Sequence, residues 1–148
     1  MLSDPSKKYQ RYRPIQLTDR TWPDAVIEHP PVWMSTDLRD GNQALFEPMG
    51  VEAKLEMFQM LVSVGLKQIE VGFPSASETD YTVVRRLIDE DLVPADVQIE
   101  VLTQARDHLI EKTFDALRGA RRAIVHLYNA TSPAFRELVF HLDRDGSR

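Results

Sequence analysis

From residue 32 onward the apolar positions switch repeatedly between short strand-like runs and longer runs with helical spacing. Residues 32–36, Val-Trp-Met-Ser-Thr, predict a short strand. Val51, Leu55, Phe58 and Val62 then recur at helical spacing up to Gly65, which suits a left-handed helix stop. Residues 68–71 predict a second strand, and Ser77-Glu78-Thr79-Asp80 behind it has the form of a capping box ahead of Val84, Leu87 and Ile88. Residues 97–102 predict a third strand, and Ile110, Phe114 and Leu117 the inward face of a third helix, stopped at Gly119. Residues 123–127 read as a fourth strand. Thr131-Ser132-Pro133 then forms a cap with proline in the first turn, and Phe135, Leu138, Val139 and Leu142 share one face of the helix expected to follow.

Four successive strand–helix units imply parallel strands joined by crossover helices, in an open doubly wound α/β sheet or in part of a closed (β/α)8 barrel. A complete barrel needs roughly 250 residues, so this chain of 148 residues is expected to supply only its first half. Before residue 32 the prolines at 5, 14, 23, 30 and 31 break every periodic pattern, and residues 1–31 are expected to be an irregular N-terminal extension.

Charge and composition narrow the function classes. A net charge of −5 argues against a general phosphate-backbone binder, and Lys7, Lys8, Arg11, Arg13 and Arg20 are spread widely enough to solvate a loop. Nucleic acid is not an expected partner. With no cysteine there is no disulfide, thiolate ligand or cysteine nucleophile, which is compatible with a reducing compartment. No apolar run approaches the roughly 18 residues that span a bilayer, and the first residues lack the order of a secretory signal. The expected location is cytoplasmic, with no membrane partner.

The chemistry gathers after the first two strands. Arg39 and Asp40 in Leu38-Arg39-Asp40-Gly41-Asn42-Gln43 are neighbours, so both can face one pocket only where the strand has already ended. Gly41 permits the backbone angles such an ending can need, and active sites of parallel α/β folds lie at that end. Glu70, between Ile69 and Val71, points to the face opposite those aliphatics. A buried carboxylate there must be paired or bind a metal, and Arg39 is the expected partner. Two readings follow: a metal site with Asp40 as ligand and Glu70 holding Arg39 rigid, or a structural salt bridge. His126 and Tyr128 share one face of the fourth strand, where a histidine could contact substrate, hold metal, shuttle protons or be a satisfied core residue. His108 and His141 are expected to be solvated, and His29 carries no signal.

The run 38–43, followed after ten residues by Lys54, resembles the signature of the α-isopropylmalate and homocitrate synthase family, and Arg39, Asp40 and Glu70 resemble the Asp-Arg-Glu triad of the wider metal-dependent aldolase and lyase superfamily on TIM barrels. The segments 72–77, 101–106 and 126–131 extend the similarity, and the arm before Trp33 with Ser6-Lys7-Lys8-Tyr9 resembles the longer-form members that make 2-isopropylmalate. The resemblance implies a condensation of acetyl-CoA with 2-oxoisovalerate followed by thioester hydrolysis, in leucine biosynthesis. It implies Asp40 as ligand of a divalent metal, Mg2+ by preference and Mn2+ or Zn2+ otherwise. Arg39 would stabilise the alkoxide, and Glu70 would orient Arg39. Gln43, His126 and Tyr128 would contact substrate, and Leu102 would pack on the isopropyl group. The family's later His-x-His pair and asparagine have no counterpart before Arg148, so residues 32–148 are expected to be the truncated N-terminal part of the catalytic barrel, inactive alone, from an enzyme expected to be a homodimer. The other readings are a homocitrate or citramalate synthase, a hydroxymethylglutaryl-CoA-type lyase, or a non-catalytic fragment acting as an association module.

Overall fold

The computed structural model describes residues 5–8, 13, 18–19 and 29–147. The chain divides into two units, Met1–Pro31 and Val32–Arg148. In the first, a tight helical turn spans Pro5–Lys8, and most of the expected irregular extension lies outside the described residues. The second unit carries a four-stranded sheet: β1 (Met34–Ser35), β2 (Gln68–Gly72), β3 (Gln98–Gln104) and β4 (Ala123–Tyr128). Between the strands run α1 (Val51–Ser63), α2 (Glu78–Asp89) and α3 (Asp107–Ala116), and the short α4 (Pro133–Phe135) follows β4.

All three strand pairs are parallel and the spatial order is β1-β2-β3-β4. Doubly wound sheets reverse their strand order at a switch point; this sheet does not, and right-handed crossovers then bring every helix to the same face. The architecture is the first half of a (β/α)8 barrel. Facing the helices, Ile69, Val71, Val97, Ile99 and Val101 pack with Leu55, Phe58, Leu61, Val83, Val84, Leu87, Ala116 and Leu117 in one buried cluster. Burial of apolar surface at about 25 cal/mol per Å2 is concentrated in this layer, which fixes the strands against one another. The opposite face, the interior of a barrel, carries Glu70, Glu100, Leu102, His126 and Tyr128, because parallel registers Glu70↔Glu100 and Leu102↔His126 put partners on one side.

Several expectations change in detail. The first strand is confined to Met34–Ser35, because Thr36 O accepts N–H bonds from Arg39, Asp40 and Gly41 at 3.2, 2.9 and 3.1 Å and winds Asp37–Gly41 into one wide helical turn. Gly65 does stop α1, at φ 100°, with Leu66 N–H reaching back to Leu61 O at 3.2 Å. Gly41 has no such role, since a Cβ there would meet nothing nearer than 3.8 Å.

On α3 the buried residues are Thr113 and Ala116, with Leu117 just past its end, and Phe114 is 58% exposed. Small residues allow the helix to approach the sheet, and Thr113 returns its hydroxyl to Leu109 O at 2.8 Å. Ser132 caps α4 as expected, accepting from Phe135 N–H at 3.3 Å. The segment continues as a second wide turn, Arg136–Phe140, and ends at His141 with φ 54°. Phe135, Leu138, Val139 and Leu142 remain exposed.

Candidate active site

The site forms where β1 and β2 end. The i+5 bond closing the turn Asp37–Gly41 is of the kind often found at functional positions, and it carries Leu38 into the core while Arg39 swings toward the inner face. Arg39 Nε lies 2.9 Å from Glu70 Oε2, and its Nη1 donates to Asp40 Oδ1 at 2.9 Å. The Arg39–Glu70 contact is a charge pair without hydrogen-bond alignment, and Arg39 Nε and Glu70 Oε2 are buried without a hydrogen-bond partner. Glu70 has no exposed surface at all, whereas the Asp40 side chain is 68% exposed.

Across the sheet, His126 Nδ1 sits 3.3 Å from Glu70 Oε1 and 3.5 Å from Glu100 Oε1. Glu100 is the candidate site residue that sequence reasoning missed. Its signal was present: Gln68-Ile69-Glu70-Val71 recurs as Gln98-Ile99-Glu100-Val101, and the two runs pair in register. Burial first, and then the charge of Glu70, push the Glu100 carboxyl above the ordinary glutamate value, against the opposing pull of His126 and Arg39. The cluster thus holds one fixed cation, two carboxylates and an imidazole.

The structure brings together four of these groups, Arg39, Glu70, Glu100 and His126. Leu102, nearly buried, is the register partner of His126 on the inner face. Tyr128 stands two residues further along β4 and accepts a hydrogen bond from Gln104 Nε2 at 2.7 Å. Asp40 joins the group only through Arg39, and Gln43 is exposed in the segment after the turn.

The donor set suits a divalent cation. Ligand atoms of Glu70, Glu100 and His126 lie within 4.8 Å of one another, two carboxylates and an imidazole form a common hard-to-borderline ligand combination, and Glu70 Oε2 is a buried acceptor lacking a hydrogen bond. This trio differs from the ligand that the resemblance implies, Asp40. No helix among the described residues is long and apolar enough to cross a membrane.

Residues 31–148 match the family described as HMGL-like. The chain belongs to that family. It is similar to the 2-isopropylmalate synthases of Paraburkholderia phytofirmans and Paraburkholderia xenovorans, 62% identical to each over 146 residues. The 2-isopropylmalate synthase of Azotobacter vinelandii is 61% identical over the same length. These alignments cover 99% of the chain but 26% of each relative. The chain therefore spans about a quarter of the length of the curated relatives it matches. The parallel sheet wound in one direction is consistent with the first half of an HMGL-like barrel.

Proposed function

We propose that the chain forms one wall of the active site of a 2-isopropylmalate synthase, in which acetyl-CoA and 2-oxoisovalerate condense and water cleaves the thioester to give 2-isopropylmalate and CoA. The observation that carries this reading is the Arg39–Glu70 pair at 2.9 Å with His126 on the far side of Glu70. A guanidinium held at a strand end by a fully buried carboxylate is preorganised to receive the negative charge that develops when a ketone oxygen becomes an alkoxide. Glu70 keeps that cation aimed. His126 and Tyr128, on the same face of β4, contact the carboxylate of the 2-oxo acid, with Gln43 as a further substrate contact. Leu102 presents an apolar surface to the isopropyl group, which favours a branched substrate over one with a second carboxylate.

A divalent cation, Mg2+ by preference, would polarise the ketone of the bound 2-oxo acid. Asp40 is the proposed ligand, open to solvent beside Arg39; the Glu70-Glu100-His126 trio is the alternative, and there Arg39 competes for Glu70. Residues 1–31 form an arm, residues 32–148 belong to the catalytic barrel, and the whole enzyme is a cytoplasmic homodimer.

The test is a chimera in which these 148 residues replace the matching segment of the Paraburkholderia phytofirmans relative. CoA release should be faster with 2-oxoisovalerate than with 2-oxoglutarate, and Arg39→Met should slow it by roughly 10²–10³. Preference for 2-oxoglutarate would point to homocitrate synthesis instead. In the same chimera, Asp40→Asn should weaken Mg2+ binding while Glu100→Gln leaves it in place. The reverse pattern would move the metal to the trio.

A further inference from the structure

Lys54 lies in α1 with no exposed surface, an unusual place for an ammonium group. Its Nζ donates to the main-chain Val71 O at 3.2 Å and is ion-paired to the Asp80 carboxylate of α2. The other Asp80 oxygen accepts from Phe73 N–H at 2.8 Å. Asp80 therefore does not close the capping box expected at Ser77; Ser77 Oγ accepts from Asp80 N–H at 3.3 Å, and the aspartate side chain turns to the end of β2 instead. The two main-chain groups that this pair grips flank Gly72. A Cβ on Gly72 would meet Asp80 carboxylate atoms at 2.6 and 2.8 Å, so the close approach needs glycine. At the same place the register between β2 and β3 slips, between Glu70 and Gly72. Such bulges redirect a side chain beside a site.

We propose that Lys54 is a positioning residue: with Asp80 it clamps the bulge that follows Glu70, and through Glu70 it sets the direction of the Arg39 guanidinium. This deepens the functional reading above and rests on it for its purpose, while the geometry stands by itself. A buried ion pair contributes little net stability against an apolar replacement, whereas a cation that grips a carbonyl and a carboxylate at once defines a backbone geometry.

The experiment follows the Arg39 side-chain Nε–H by nitrogen-15 NMR in the 148-residue chain, without substrate. Lys54→Met should shift that resonance and speed its solvent exchange, because the buried Nε–H is protected by its enclosure beside Glu70. Asp80→Asn, which keeps the side-chain shape but drops the charge facing Lys54, should do the same and decides the case if Lys54→Met does not fold. Leu117→Ala, a cavity just past α3 on an element that carries no part of the clamp, should lower the melting temperature and leave the Arg39 signal in place. A native Arg39 signal in Asp80→Asn, or an equal shift in Leu117→Ala, overturns the positioning role. Since no substrate is present, that outcome is separate from failure of the chimera to use 2-oxoisovalerate, which overturns the functional reading alone.

Discussion

Arg39 is the single fixed positive charge between Asp40 and the buried Glu70, with Glu100 close behind. Removing it in Arg39→Met leaves the Glu70 carboxylate without its cation, a loss expected to cost about 3 kcal/mol at pH 7 in urea unfolding. An Arg39→Met chain with an unchanged urea midpoint at pH 7 would show that solvent already screens the pair. Glu100 gives a second prediction with a defined sign. Its carboxyl is raised in the folded state, by burial first and Glu70 second, so the folded chain holds that proton more tightly than the unfolded one. Stability is then intact below the ordinary glutamate value and falls as pH rises through the raised value. Glu100→Gln should remove this slope: with a chelator present it should melt above the parent at pH 7 and together with it at pH 4. A parallel pair of melting curves across that range would refute the assignment. At this scale the Arg39–Glu70 pairing was legible, because a carboxylate on the inner face of a parallel sheet needs a partner and a cation at the end of the first strand is within reach. Glu100 and the burial of Lys54 were not, because Arg39 already answered the first carboxylate and a lysine in an amphipathic helix ordinarily reads as solvated; only pairing across elements shows both to be buried.

The elements themselves were legible where periodicity and caps agreed. β2, β3 and β4 sit within two residues of the expected runs, and α1 ends where Gly65 required. Two places departed for physical reasons. The segment after β1 winds into a turn because one carbonyl, Thr36 O, serves three N–H groups, a local hydrogen-bond choice that apolar spacing cannot reveal. On α3, hydrophobicity favoured Phe114 as an inward residue, but the tight approach to β3 admits only Thr113, Ala116 and Leu117. This correction is testable on one helix. Phe114→Ser should change the unfolding free energy by no more than about 0.5 kcal/mol, as surface substitutions do. Ala116→Leu, which adds volume where none is exposed, should cost about 1–3 kcal/mol. The opposite ranking in a urea titration would restore Phe114 to the core.

At the scale of the whole molecule, the sheet buries one face well and leaves the other half-built. The helix-facing layer is continuous from Leu38 to Leu117, whereas among the described residues β1 and β4 are the two edges of the sheet, with Trp33 71% and Leu138 73% exposed beside them. Parallel strand order made this half-barrel legible from the succession of units alone, yet the sequence pattern could not say which apolar faces would find a partner. Unpaired strand edges next to exposed aromatic and aliphatic side chains favour association. The isolated chain should therefore show a mass in light scattering that rises with concentration through the micromolar range. Leu138→Glu and Trp33→Ser place the contact: if the β4 side carries it, the first should return the chain to a monomer and the second should not. A monodisperse monomer of the unsubstituted chain at high micromolar concentration would mean that the inner face and edges are satisfied within one molecule. The charged cluster would then be shielded by this chain itself, and the reading of Arg39 and Glu70 as one wall of a larger site would fall with it.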